Sequence, residues 1–395
     1  MTTMKQYDFD TIIDRRGSDC TKYDGIGAQK SDYEEILPLW IADMDFTTPA
    51  PIGEAIKRRL EHPVLGYTVA PQKYYIALQK WFEQRYGFTP KLEELNYTPG
   101  VVSGIYKVIQ CLTEVGDGIV IMPPVYYPFF NVTLGSGRKL IEAPLIMDNH
   151  EMQIDWKRLD EALSGARALI ISHPHNPGGR VWRLEELQRV AELAKKHNAY
   201  IISDEIHADL TFPEHQHRPF PSVSEAAQER TVTLMAPSKA FNMPGVIGSH
   251  FYIVDKELRD RIFGYMFQNG LGHAACYTFE AITAAYEECG DWLNDCTDYI
   301  KGNIKFVQEY LEQRIPKIQM ITPEASFLIF LDCEGLGLKD PDELNQFFIE
   351  KAGLYLDRGT TFGTGGEWYM RLNVGESRAV IEEAMKRLEK AVNQL

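Results

Sequence analysis

Nowhere in the 395 residues does an apolar run approach the roughly 18–20 residues that a membrane helix needs, so a membrane-spanning protein is not expected. Cysteine is scarce: Cys20, Cys111, Cys276, Cys289, Cys296 and Cys333 form no CxxC pair and no zinc-like spacing. A chain of this length has no need of a disulfide framework, and free thiols are expected. The pairs His173/His175 and His215/His217 have H-x-H spacing, but no cysteine or carboxylate completes a ligand set, so no metal is expected. Basic blocks are missing too. With 41 Lys and Arg against 56 Asp and Glu, the net charge is −15, and a surface of that sign repels phosphate backbones, which argues against a nucleic-acid partner. There is no GxxxxGK[ST] phosphate loop, no internal repeat and no low-complexity stretch. The opening residues MTTMKQYDFD carry no apolar core of the signal-peptide kind, and a cytoplasmic protein is the expectation.

What is there is an ordinary globular composition, 44% hydrophobic and 25% charged. The length exceeds the usual ~100–200 residues of one domain, so two are expected. Short apolar runs read as strands: GIVIM at 118–122, ALIIS at 168–172, YIIS at 200–203, TVTLM at 231–235 and HFYIV at 250–254. Helical patterns separate them. The clearest is 183–197, where Leu184, Leu187, Val190, Ala191 and Ala194 recur at spacings of three and four. Strand and helix at this rhythm predict an α/β domain with a mostly parallel sheet flanked by helices, over residues 51–285. From 286 to 395 the pattern shifts to long helices and two strand-like runs, SFLIFLD and WYMRLNV, predicting a smaller α+β domain that residues 1–50 would complete.

Ligands of open parallel sheets bind beyond the carboxyl ends of the strands. The predicted strand ends lead into PPVYYPF (123–129), HPHNPGGR (173–180), SDEIH (203–207) and APSKAFN (236–242). Lys239 in such a crevice would lose its charge readily and could form a Schiff base with an aldehyde or take a proton from carbon, although most lysines are simply solvated. Asp204 ends an apolar strand, where a carboxylate is costly without a cation. A helix cap or an arginine pair is the plain explanation; a ligand's protonated nitrogen is the chemical one. A Schiff-base lysine with an acidic partner for a pyridinium nitrogen is the pairing that pyridoxal phosphate requires. Asn176 could donate to an oxygen on that ring or simply make an Asn-Pro turn. Tyr126 and Tyr127 could stack on the ring or belong to the core. TPGVVSG at 98–104 precedes a helical stretch, and its free N–H groups could hold a phosphate. Arg371, on a strand-like run, suits bidentate capture of a carboxylate or a surface ion pair.

Taken together, HNPGGR, SDEIH, APSKAF and MRLNVG resemble, in order, the signature segments of fold-type I pyridoxal-phosphate enzymes, the aminotransferase superfamily, whose fold is aspartate aminotransferase-like. Within it, FDTIIDRRGSDCTKYD, PLWIADMDF, VLGYT, PPVYYPFF, SDEIHADL and ECGDWLNDC resemble the MalY-type cystathionine β-lyases and the cystalysin-type cysteine desulfhydrases, from about residue 8 to the C-terminal helix. The resemblance implies that Lys239 is the Schiff-base lysine, Asp204 the partner of the pyridine nitrogen, Asn176 that of the ring hydroxyl and Tyr126 the stacking ring. It implies a phosphate held by the amides of Val101 and Val102, by Ser238 and by Tyr67 of the other subunit of a homodimer. Arg371, beside Asn176, would bind the α-carboxylate of an amino-acid substrate. Two positions depart from many superfamily members: Ile247 stands where an arginine often contacts the phosphate, and His207 where a tyrosine often faces the ring hydroxyl. Both departures are shared with the lyase branch, with His207 as a candidate cofactor contact; Glu205 and Asp209 are expected to be structural.

The implied reaction is α,β-elimination from cystathionine- or cysteine-type substrates, with Lys239 removing the Cα proton and Tyr126 or Tyr127 protonating the departing sulfur or helping the substrate amine displace the lysine. An aminotransferase would use the same Lys239, Asp204 and Arg371 but would require a 2-oxo acid acceptor. A non-catalytic regulator on the same fold is the alternative from another class, and the intact set of catalytic positions argues against it.

Overall fold

The computed structural model describes residues 7–148 and 150–395. Its largest sheet has seven strands: β1 (Leu95–Thr98), β2 (Gly118–Ile121), β3 (Lys139–Glu142), β4 (Ala168–Ser172), β5 (Tyr200–Asp204), β6 (Thr231–Met235) and β7 (Ser249–Tyr252). Their order is β1-β7-β6-β5-β4-β2-β3. β7 runs antiparallel to both β1 and β6, and the remaining pairs are parallel. Every residue of β2, β4 and β6 is buried, which is why β2 and β4 read as apolar runs without alternation; in β6 the buried Thr231 and Thr233 interrupt the apolar run. β1 and β3, the two edge strands, have no such run: KLIE of β3 is half exposed and charged at both ends, and an edge strand of this kind leaves little periodic signal.

Helices cover both faces of this sheet. In Leu184–Lys196 the predicted stripe is buried at Leu187, Val190, Ala191 and Ala194, and the Glu186 carboxylate accepts from the Arg183 N–H at 2.7 Å to start the helix. Full burial of Leu187 alone contributes roughly 2 kcal/mol, so a charged residue there would unseat the helix from the sheet. The helix Val101–Leu112 begins at Gly100, whose φ of +86° is a conformation that only glycine adopts without strain. This turn aims the first amides of the helix at the end of the sheet.

A second sheet, entirely antiparallel, comprises β8 (Gln319–Ile321), β9 (Leu328–Asp332), β10 (Asp357–Arg358) and β11 (Tyr369–Asn373) in the order β8-β9-β11-β10. The helices Gly290–Arg314 and Arg378–Val392 pack with it. The N-terminal segment runs along this part of the molecule: Leu37 and Pro38 pair in parallel with Leu354 and Tyr355, and the wholly buried Lys22 ammonium meets Glu376 and, at 3.3 Å, Asp45. A lysine so enclosed is tolerated because its charge is matched on two sides. The largest apolar cluster includes Phe9 and Leu39, Trp81 and Phe241, and Leu328 and Leu388, so the packing is continuous across residue 285.

All six cysteines are free. Among the described residues no helix is long and apolar enough to cross a membrane, and no group of three His, Cys, Asp or Glu side chains is arranged to hold a metal.

Candidate active site

At the carboxyl ends of β4, β5 and β6 lies a cavity of about 270 Å³. The register explains its walls. Ser172, Asp204 and Leu234 are neighbours across the three strands, so the loops that follow them emerge side by side, carrying Asn176, His207 and Lys239. Tyr126, Asn176, Asp204, His207, Ser238, Lys239, Val101 and Val102 all line this one space. Segments far apart in the chain are thus brought together by strand order.

Asp204 is 3% exposed, and its Oδ1 accepts one hydrogen bond, from Ile206 N–H at 3.1 Å. Burial pushes its carboxyl up to about 7, against the lowering influence of that N–H and of Lys239. No ion pair to Asp204 occurs among the described residues, and the short helix that follows, Ala208–Leu210, has His207 at its N-cap, so neither an arginine partner nor a helix cap accounts for the carboxylate. Lys239 lies in the short helix Pro237–Ala240, and its Nζ donates to the Ala42 carbonyl at 2.5 Å. Burial draws its amine down to about 8, opposed by Asp43 and Asp204 and assisted by Arg371. A lysine in this state is partly neutral near pH 7.5, which a surface lysine is not.

His207 is buried with Nδ1 3.1 Å from Ser326 Oγ, and burial together with the charges of Lys239 and Arg371 lowers it to about 3. It is a neutral imidazole across the ordinary pH range, a hydrogen-bonding wall group and not a charge. Tyr126 forms one side of the cavity, its ring 5.4 Å from that of Tyr127 and its N–H donating to Asn176 O at 3.1 Å. Burial raises both phenols above their ordinary value. Val101 and Val102, in the first turn of Val101–Leu112, line the cavity together with Ser238; the free amides of a helix's first turn and a hydroxyl are a donor set suited to an anionic group.

Arg371, from β11, is 2% exposed. Its Nη1 donates to Asn176 Oδ1 at 3.1 Å, its Nη2 donates to Trp40 O at 3.0 Å and pairs with Asp357, and its guanidinium lies 5.0 Å from the Phe362 ring centre. Asp357 faces Arg371 directly in the strand register. Arg371 therefore reaches the cavity through Asn176. Two candidates stand apart. Tyr127 is 37% exposed beside the cavity rather than in its wall, and Tyr67 is fully exposed, with its ring 6.2 Å from that of His273 and outside the cavity. Ile247 lines the mouth of the cavity, which has no arginine there.

The rest of SDEIHADL points elsewhere. Glu205 accepts from Ser203 Oγ at 2.8 Å and Phe220 N–H at 2.9 Å and lies 2.7 Å from Nε2 of His217, an imidazole that burial keeps neutral; it does not line the cavity. Asp209 accepts from Trp81 Nε1 at 2.8 Å and from Tyr86, tying the helix Gln72–Tyr86 to the short helix Ala208–Leu210 that follows β5. Sequence reasoning did not identify Asp357, Ser326 or the Ala42 carbonyl as parts of this site. A carbonyl is common to every residue and has no sequence signal, whereas Asp357 stands fourteen positions before Arg371 in a two-residue strand too short to show periodicity.

Residues 35–388 match the family "Aminotransferase class I and II". The chain is 38% identical to cystathionine beta-lyase PatB of Bacillus subtilis over 387 residues, covering 98% of this chain and 100% of that protein. It superposes on cystalysin from Treponema denticola, a structure containing pyridoxal 5'-phosphate, with a TM-score of 0.94 and 33% identity over 98% of this chain and 99% of the other. The pyridoxal-phosphate-bound C-S lyase from Staphylococcus hominis gives 0.91 and 30% identity over 98% of both chains.

Proposed function

Because the chain belongs to the aminotransferase class I and II family, we propose that it is a pyridoxal-phosphate-dependent carbon–sulfur β-lyase, acting as a cytoplasmic homodimer on amino acids with a sulfur leaving group at the β-carbon. The observation that carries the reading is Asp204: a carboxylate walled into the cavity with one backbone donor and, among the described residues, no cation paired to it, lining the same space as a lysine held near 8. That arrangement is unfavourable alone and favourable around a ring whose nitrogen is protonated. The residues fit the cofactor. Lys239 would hold it covalently, Asp204 would pair with its ring nitrogen, and Asn176 and His207 would flank its ring hydroxyl. Tyr126 would stack on it, and Val101, Val102 and Ser238, with Tyr67 of a second subunit, would hold its phosphate. When bound, pyridoxal phosphate supplies an electron sink for the bonds at the substrate's Cα.

The chain's own residues supply the rest. Arg371, held in place by Asn176, Asp357 and Trp40, would take the substrate α-carboxylate and so orient the Cα–H bond. Lys239, as the neutral amine that its environment favours, would take the Cα proton. Tyr126 or Tyr127, each kept protonated by burial, would give a proton to the sulfur as its bond to Cβ breaks. The sulfur product leaves as a thiol, homocysteine in the case of cystathionine, and addition of water to the remaining fragment yields pyruvate and ammonia.

The test is direct. The cofactor-loaded protein is incubated with cystathionine or cysteine and pyruvate is measured, with no 2-oxo acid added. Pyruvate accumulating over many turnovers, and none from Lys239→Ala, is the expected result. Turnover only when a 2-oxo acid is present would make the chain an aminotransferase instead.

A further inference from the structure

The segment Leu39–Phe46 has almost no regular structure and meets the cavity at Ala42, yet its carbonyls are nearly all taken, most of them by four residues, with Asp43 N–H adding a bond to Ile41 O and Arg15 one to Met44 O. Leu39 O accepts from Asn373 N–H at 2.9 Å. Trp40 O accepts from Arg371, and Ile41 O from Asn373 Nδ2 at 2.7 Å. Ala42 O accepts from Lys239, and Asp43 O from Asn373 Nδ2 at 2.6 Å. Met44 O and Phe46 O accept from Asn242 Nδ2 at 2.8 and 2.7 Å. Asn242 also accepts from Met44 N–H at 3.0 Å through its side chain and from Thr48 Oγ1 at 2.7 Å through its carbonyl. A backbone without helix or sheet partners must be satisfied in some such way.

The pattern is specific in where the donors sit. Asn242 follows Lys239 by three residues, and Asn373 follows Arg371 by two. One asparagine belongs to the large sheet's side of the cavity, the other to the small antiparallel sheet. Both grip the strap, and the strap in turn offers Trp40 O to Arg371 and Ala42 O to Lys239. Asn242 has φ +48°, a left-handed conformation that asparagine tolerates better than most residues, which supports a placed side chain.

Resting on the lyase reading, we propose that Asn242 and Asn373 are positioning residues: together they clamp residues 39–46 as a common template that holds the Lys239 amine and the Arg371 guanidinium at a set separation. The clamp acts on any substrate that presents an α-carboxylate and an α-hydrogen. It gives the lysine, whenever its nitrogen is free, an acceptor that keeps the amine aimed into the cavity.

Asn242→Gly keeps the left-handed backbone and deletes the side-chain bonds to the strap, and Asn373→Ala does the same from the other side. Neither substitution touches Asp204; Asp43, whose charge also raises the Lys239 amine, lies on the strap, so its release acts on the lysine in the same direction as loss of the Ala42 carbonyl. Losing Ala42 O as a well-placed acceptor disfavours the ammonium form. In the full-length chain freed of cofactor, competitive acylation of Lys239 followed by mass spectrometry is expected to show its pKa lower by about half a unit or more in both variants. With cofactor, kcat/KM is expected to fall about tenfold, mainly through kcat in Asn242→Gly and through KM in Asn373→Ala. Val190→Ala, a buried truncation in the distant helix Leu184–Lys196, serves as a control: it lowers the melting temperature and moves neither readout. Unchanged Lys239 titration in both asparagine variants overturns the proposal, whatever their melting temperatures. Failure of the unaltered chain to form pyruvate would instead count against the lyase reading and leave the acylation result standing.

Discussion

Replacing Asp204 by asparagine removes a charge the cofactor-free chain holds at a cost. Its carboxyl sits near 7 in the folded protein against an ordinary 3.8, because burial outweighs the single N–H and the Lys239 ammonium. As the folded value lies above the unfolded one, the penalty is absent below about pH 4, grows as the pH rises through the interval to about 7, and is constant beyond it. Its size is roughly 4 kcal/mol at pH 8 and less than roughly 2 kcal/mol at pH 5. The asparagine side chain of the variant can still accept from Ile206 but must bury an amide group, which returns about 1–2 kcal/mol. Asp204→Asn is therefore expected to stabilise the cofactor-free protein by about 2–3 kcal/mol at pH 8 and by little or nothing at pH 5, measured by urea unfolding at the two pH values. With cofactor and substrate the sign reverses in function: loss of the counter-charge to the ring nitrogen is expected to lower kcat at least about a hundredfold. Equal or lower stability of the variant at pH 8 would refute the reasoning, since it would mean the carboxylate is matched by something other than a ligand.

Three other outcomes follow from the geometry. Arg371→Lys keeps the charge but loses the planar fork that spans Asn176 and Asp357, and KM for the amino-acid substrate is expected to rise about tenfold or more with a smaller change in kcat, as steady-state kinetics would show. Tyr67 is fully exposed in the single chain, so if it serves a second subunit, mixing inactive Lys239→Ala with a weakened Tyr67→Phe should restore sites of wild-type affinity for the cofactor; no recovery after subunit exchange would remove Tyr67 from the site. Ile247→Arg places a cation at the cavity mouth at a position that is 62% exposed and so free to accept it; equilibrium dialysis should show the cofactor bound several-fold more tightly.

Much of the molecule was legible in its sequence, and the legible parts share a physical cause. The strands 168–172 and 231–235 were readable to the residue because both faces are buried, leaving short runs of apolar and β-branched residues without a charge. The stripe of Leu184–Lys196 was readable because one face is buried at the helical period. β1 and β3 were not, because both are short edge strands, and β3 is half exposed as well. Lys239, Asp204 and Asn176 could be picked out because strand ends in a parallel sheet converge, so residue type and position in the pattern together point to one place.

By itself the sequence determined which side chains the chemistry has at its disposal and, through burial patterning, the layered α/β architecture that carries them. Only the tertiary structure decided their states and their company: that among the described residues no cation pairs with Asp204 while Glu205 beside it hydrogen-bonds the His217 imidazole, that Arg371 answers to Asp357, that Tyr67 lies outside its own chain's cavity, and that an irregular strap gives its carbonyls to Lys239 and Arg371. The reason is that periodicity reports only whether a face is buried, whereas a pKa or a hydrogen-bond partner depends on what is buried against it, and those atoms come from distant positions, 331 residues away in the bond from Arg371 to Trp40.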